Sequence, residues 1–194
     1  GGMLLLACGL PAFGAGLVED LTKRVSPARR LVATAVSAGL GVALMQAVIT
    51  RTDLPGIDWI ASFTIGAMLV TVFVVTGVAN AVNIIDGFNG LSSMCVVMML
   101  AAIGYVAFQV DDRMVLLWSV AAAGAVLGFF VWNFPAGLIF LGDGGAYFLG
   151  FVVAELAILL LKHNPQVSPL FPLLVVGYPV FETLFSISRR RFLR

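Results

Sequence analysis

The sequence predicts an all-α protein, a polytopic bundle of about seven transmembrane helices forming a single integral-membrane domain over 1–194. Three observations carry that prediction. Hydrophobic residues make up 61% of the chain and the mean hydropathy is +1.08. Charged residues make up 11%, where a soluble domain has about a quarter. The apolar residues run in stretches close to the roughly 20 that a spanning helix needs, with charges and turn residues collected between them.

The first stretch, 3–18, has no basic region before it and no small-residue cleavage site after it, so it reads as a span rather than a signal peptide. The second, 31–50, follows Ser26-Pro27, an N-cap with proline at the first helical position. Its Ala33, Ser37 and Gly41 lie at four-residue spacing, which lets helix backbones approach closely in lipid. The third, 59–79, and the fourth, 90–109, are separated only by Asn80 to Asn89, so a re-entrant segment there changes the count by one. The fifth, 114–132, repeats the small-residue spacing at Gly124 and Gly128, and the sixth and seventh are 147–161 and 170–188.

If each stretch crosses once, segments 19–30, 80–89, 133–146 and 189–194 share one side. That side carries eight basic residues, Lys23, Arg24, Arg29, Arg30, Arg189, Arg190, Arg191 and Arg194, against Arg51, Arg113 and Lys162 on the other. The positive-inside rule makes the first side cytoplasmic, which puts residue 1 on the extracytoplasmic side and the C-terminal end in the cytoplasm. The expected location is therefore a membrane that the chain crosses several times.

Eleven basic and ten acidic residues give a net charge of +1, too little to neutralise a run of nucleic-acid phosphates. Cys8 and Cys95 sit inside apolar runs and read as small hydrophobes. His163 falls beside Asn164-Pro165 and reads as a solvated loop residue. Walker-type, HExxH and CxxC motifs are absent, which leaves the carboxylates as candidates for chemistry.

Four of the ten acids fall in the cytoplasmic segments, in three clusters. Glu19-Asp20 is an adjacent pair at a helix end, where two carboxylates raise each other's pKa unless a cation is present. Asn80, Asn83, Asp86 and Asn89 repeat every third residue inside apolar sequence, a polar stripe at a membrane edge. Asp143 lies among Gly142, Gly144 and Gly145, where backbone amides approach an anion and a carboxylate reaches a metal. With no Cys or His cluster, Mg²⁺ or Mn²⁺ is the expected metal. A carboxylate-rich cation site at a membrane face fits phosphoryl transfer to or from a lipid.

Two more acids, Glu155 and Glu182, fall within spans, where an ionisable group is a functional hypothesis by default. As structural groups, Glu155 is a neutral acid hydrogen-bonded to a neighbouring helix and Glu182 pairs with Arg189 to Arg191. As functional groups they mark the alternative to an enzyme, a membrane transporter using both acids. A scaffolding subunit would need none of the three loop clusters.

The clusters, in order, resemble the polyprenyl-phosphate N-acetylhexosamine-1-phosphate transferases (glycosyl transferase family 4). Gly16-Leu-Val-Glu19-Asp20-Leu followed by Ser26-Pro27-Ala-Arg29-Arg30-Leu31 resembles the family's acidic-pair loop. Asn80-Ala-Val-Asn83-Ile-Ile-Asp86-Gly87-Phe-Asn89-Gly90-Leu91 resembles its Asn/Asp-Gly motif, and Asn133 through Phe140-Leu-Gly142-Asp143-Gly144-Gly145 its Gly-Asp-x-Gly loop. The resemblance implies an Mg²⁺-dependent enzyme of the cytoplasmic face. It would transfer an N-acetylhexosamine 1-phosphate from a UDP-sugar, first of all UDP-N-acetylglucosamine, to undecaprenyl phosphate, releasing UMP, for cell-envelope polysaccharide such as O-antigen. By position, Glu19 and Asp20 match the catalytic pair, Asp143 with Asp20 the metal ligands, and Asn83, Asp86, Asn89, Asn133 and Phe140 the nucleotide pocket, the ring suited to stacking on uracil. A homodimer is compatible with it, and both direct attack and a covalent intermediate stay open.

Three positions depart from the family pattern: Glu19 for the usual first Asp, Asn89 for the usual second Asp, and Ala146 for a small hydroxyl residue. The family's Gly-rich basic motif and His-rich cytoplasmic loop are not in this sequence. The expectation is an internal fragment of a longer enzyme, weakly active or inactive alone.

Overall fold

The computed structural model describes residues 2–192, and all regular structure among them is helical. In chain order the helices are α1 (Gly2–Thr22), α2 (Pro27–Leu40), a π-helical turn (Gly41–Met45), α3 (Pro55–Ala61), α4 (Thr64–Ile85), α5 (Leu91–Gln109), α6 (Arg113–Asn133), α7 (Gly142–His163), α8 (Leu170–Val175) and α9 (Gly177–Phe192). Six are long and apolar enough to cross a bilayer: α1, α2 with its π turn, α4, α5, α6 and α7. The chain is a multi-pass membrane protein.

The seventh expected span, 170–188, folds as α8 and α9 with a break at Val176. Pro179 explains the break, because it lacks the N–H that a continuous helix would give to the carbonyl of Val175. The third expected span shifts along the chain. Residues 59–61 belong to α3, and α4 starts at Thr64 and runs through Asn80 and Asn83 to Ile85. The helix absorbs Asn80 because the side-chain amide is satisfied locally, donating to the Thr76 carbonyl (2.8 Å) and to Thr34 Oγ1 of α2 (3.3 Å). The expected cap of α2 forms, with Ser26 Oγ accepting from the Arg29 amide (3.4 Å).

The centre of the bundle is α7, buried without interruption from Gly150 to Leu160 and packed chiefly on α1 and α4. Glycines let the α1–α7 pair close: a Cβ on Gly16 would run into the backbone of Asp143 and Gly144. Ser37, from the small-residue row of α2, accepts from the Ala12 amide of α1 (3.0 Å). Gly41 lies against the Glu155 carboxylate. Gly124 and Gly128 behave otherwise. A Cβ on either would meet nothing within 4 Å, because α6 buries only Val115, Ser119, Val126 and Asn133 and turns its glycine face outward.

The inter-helix segments sort to two ends. At one, Arg51 donates to the carbonyls of Pro165 (3.1 Å) and Val167 (3.0 Å), and Lys162 to that of Met45 (3.3 Å). His163 is here more than a solvated loop residue, since its Nδ1 lies 2.9 Å from Asp112, the N-cap of α6. At the opposite end the segments around Asp20, Asp86 and Asp143 come together. Arg194 of the basic set, and residue 1, lie outside the described residues.

Glu155, in the buried run of α7, has no solvent exposure and, among the described residues, no hydrogen-bond partner for either oxygen, so the expected bond to a neighbouring helix does not form. Cys8 and Cys95 are buried free thiols.

Candidate active site

Four helix ends build the site. The last turn of α1 carries Glu19 and Asp20, the first turn of α2 carries Arg30, the last turn of α4 carries Asn83, and α7 opens with Gly142-Asp143-Gly144. Their focus is the N-terminus of α7, which Leu141 cannot cap with its side chain. Asp20 does so from α1. Its Oδ1 accepts from the Asp143 amide (3.0 Å) and its Oδ2 from the Gly144 amide (3.1 Å). A carboxylate there satisfies two free amides and faces the positive end of the helix dipole. Gly142 makes room: its φ is +71°, and a Cβ would meet the Asp20 carboxylate.

The Asp143 carboxylate takes two partners of its own. Asn83 Nδ2 donates to its Oδ1 (2.9 Å), and the Arg30 guanidinium pairs with its Oδ2. Arg30 reaches it from α2 with its side chain only 18% exposed, and its Nε is buried without a partner. Arg30 belongs to the sequence motif that follows the acidic pair, but nothing in the sequence alone marks it as a partner of Asp143. The signal that could have found it is its place in the first turn of a helix capped by Ser26, directed back toward the acidic pair.

Asp86 ends α4, and its carboxylate accepts from Ser92 Oγ at the start of α5. Burial pushes its pKa up; the Ser92 hydrogen bond opposes this, and the negative charges of Asp143 and Asp20 add to the rise. Asp20, Asp86 and Asp143 therefore share one electrostatic environment.

The other candidates stand around this centre. One Glu19 oxygen accepts from the Val25 amide (2.7 Å), folding the α1–α2 connection back onto its helix. Asn133 is buried and clamps two segments, accepting from the Gly90 amide (2.6 Å) and donating to the Ile139 carbonyl (2.8 Å). Asn89 donates to the Pro135 carbonyl (3.3 Å). Phe140 stands 78% exposed on the loop entering α7. The three-residue stripe thus divides: Asn83 and Asp86 reach the centre, Asn80 packs between α2 and α4, and Asn89 braces the 133–141 loop. Beside Asn89 an apolar cleft of about 580 Å³ opens between α5 and α6, lined by Phe88, Met94, Met98, Phe130 and Phe134 among others.

Among the described residues, no three His, Cys, Asp or Glu side chains are grouped to hold a metal ion by themselves.

The sequence model of glycosyl transferase family 4 matches residues 3–161. A Bacillus subtilis protein named "Probable undecaprenyl-phosphate N-acetylglucosaminyl 1-phosphate transferase" is 36% identical over 121 residues, 62% of this chain and 34% of that protein. A Streptococcus agalactiae phospho-N-acetylmuramoyl-pentapeptide-transferase is 39% identical over 112 residues, 57% of this chain and 31% of its own. A Clostridium botulinum protein of the same name is 42% identical over 109 residues, 56% and 32% respectively. The chain thus spans about a third of the length of the relatives it matches.

Proposed function

The chain belongs to glycosyl transferase family 4, and from that premise we propose that it forms the catalytic centre of a membrane enzyme moving a sugar 1-phosphate from a UDP-linked N-acetylhexosamine to undecaprenyl phosphate. The single observation that carries the proposal is the convergence of Asp20, Arg30 and Asn83 on Asp143 and the helix start it opens. Such a cluster at one end of a bundle of spanning helices suits a reaction between a lipid phosphate and a water-soluble nucleotide. We place that end in the cytoplasm, from the excess of basic residues in its segments.

The residues fit Mg²⁺ or Mn²⁺. Asp20, Asp86, Asp143 and Asn83 offer only oxygen ligands, and Asp143 already engages a cation, the Arg30 guanidinium. Mg²⁺ characteristically takes one or two carboxylates and completes its shell with phosphate oxygens and water, so a preformed cage of three acids is not required. Asp143 and Asp20 would hold the ion. Bound there, it would supply positive charge to offset that of the diphosphate.

The chain's own residues do the rest. Asp20 fixes the start of α7 and thereby the position of the Asp143 carboxylate, while Asn83 orients it. Each Asp20 oxygen accepts one amide hydrogen bond and keeps a second lone pair with which it would reach the ion. Glu19 keeps a second oxygen available beside this centre. Asn89 and Asn133 set the rim of the nucleotide pocket by bracing the 133–141 loop, and Phe140 offers an exposed ring for uracil. The apolar cleft beside Asn89 suits part of an isoprenoid chain.

UDP-N-acetylglucosamine is the proposed donor, consistent with the name of the Bacillus subtilis relative, and O-antigen or another envelope polysaccharide the destination. The test is transfer of labelled sugar phosphate from UDP-N-acetylglucosamine to undecaprenyl phosphate, with and without Mg²⁺, in membranes carrying the complete parent protein. Mg²⁺-dependent lipid labelling with release of UMP is expected. No labelling from any UDP-N-acetylhexosamine would refute the reading.

A further inference from the structure

We propose that Arg30 is a tethered counter-ion that occupies the Asp143 carboxylate in place of the divalent cation and is displaced when that cation binds. The inference rests on the metal-site reading above and goes beyond it. Three observations support it. The guanidinium pairs with the Asp143 oxygen left free by Asn83, so each carboxylate oxygen has one partner and the charge is compensated on the Oδ2 side. Arg30 has no second acid in contact: among the described residues its ion pair is with Asp143 alone. Its Nε is buried without a hydrogen-bond partner, so this pose leaves one of the side chain's donors unused.

An arginine held only for stability would be expected to use its fork more fully. A side chain with one strong contact and an idle buried donor is instead suited to exchange partners. When a divalent ion takes the Asp143 oxygen, two cations cannot share it at contact distance, and Coulomb repulsion moves the guanidinium away. Its anchor at the first turn of α2 keeps it next to the same pocket. The nearest new anion is the diphosphate that accompanies the ion, which a guanidinium can bind through two parallel N–H bonds. Arg30 therefore links cation entry to phosphate binding: while the pocket is vacant it spares Asp143 an unpaired charge, and when the pocket fills it supplies positive charge to the substrate.

The test is Mn²⁺ binding, followed by electron paramagnetic resonance in the purified parent protein without nucleotide. Arg30→Gln removes the competitor and should tighten Mn²⁺ binding by about tenfold, whereas Arg30→Lys should stay near wild type. Asp143→Asn should abolish binding in either background. A second measurement needs no variant: phenylglyoxal should modify Arg30 faster in wild-type protein saturated with Mn²⁺ than in metal-free protein. Unchanged or weaker Mn²⁺ binding by Arg30→Gln, or Arg30 labelling that does not rise with Mn²⁺, overturns the proposal while the metal site stands. Wild-type Mn²⁺ affinity in Asp143→Asn would instead remove the metal-site reading, and this proposal with it.

Discussion

Asp20 and Asp143 meet side chain to backbone: the Asp20 carboxylate accepts the amide of Asp143 itself and the amide that follows it. Asp20, at the end of α1, is thus part of the foundation of α7 as well as part of the proposed chemistry. Asp20→Ala should cost about 1–2 kcal/mol through loss of a charged helix cap. It should also abolish turnover, because the Asp143 carboxylate loses its fixed position. Thermal unfolding in detergent checks the first effect and lipid labelling the second. Unaltered stability would mean that the cap contributes nothing.

Glu19 separates from Asp20 on the same assays. Its one bond, to the Val25 amide, is kept by Glu19→Gln, whose amide oxygen also accepts. Unfolding should be unchanged while turnover falls by about 100-fold or more, the scale on which a positioned acid or base acts. Full activity in Glu19→Gln would leave Glu19 a role in the loop alone.

These two acids also show how much could be read from the chain. The three clusters were legible because each concentrates polar residues in otherwise apolar sequence, and the fold brings members of all three to one end. Arg30 was not legible as a site residue. Its role depends on a partner, Asp143, that lies 113 residues away, and a local reading sees only one more basic charge in a loop. The start and end of α4 were misplaced for a related reason. Asn80 looks like a loop residue until the Thr76 carbonyl and Thr34 hydroxyl that satisfy it are seen, and those depend on α2 packing against α4. The break between α8 and α9 carried a local signal in Pro179, which the apolar run on both sides obscured.

The opposite end of the bundle gives a pH prediction. Asp112 caps α6 through the Val115 amide (3.1 Å) and also accepts from Asn164 (3.0 Å) beside His163. Burial raises its pKa, and the hydrogen bonds from Val115, His163 and Asn164 outweigh that, holding it below the ordinary value. A depressed folded-state pKa stabilises the fold above the unfolded-state value of about 3.9, and the benefit is lost as pH falls through the folded pKa. Asp112→Asn should therefore unfold at lower temperature than wild type at neutral pH, by an amount equivalent to about 1–2 kcal/mol, with the two converging as the pH falls through the depressed folded-state pKa. A difference that persists undiminished in acid would contradict the assignment to the Asp112 charge.

The last prediction concerns Glu155, which the transport reading needs and the enzyme reading does not. Its carboxylate is sealed in the run of α7 between Gly150 and Leu160, with neither oxygen partnered, so its burial is a net cost to the fold. Replacing it with an apolar residue of similar volume removes a polar group that nothing satisfies, and Glu155→Leu should stabilise the protein by about 1–3 kcal/mol without loss of transfer activity. Gly41 lies directly against the carboxylate, and a Cβ there would overlap Glu155 Oε1. Gly41→Ala alone should then cost about 1–3 kcal/mol by overpacking, whereas in a Glu155→Ala background the same change meets open space and should cost much less. A double-mutant cycle of unfolding free energies measures that coupling directly. Additive effects would show that Gly41 and Glu155 do not touch, and a loss of transfer in Glu155→Leu would give this acid a part in catalysis that its position does not explain.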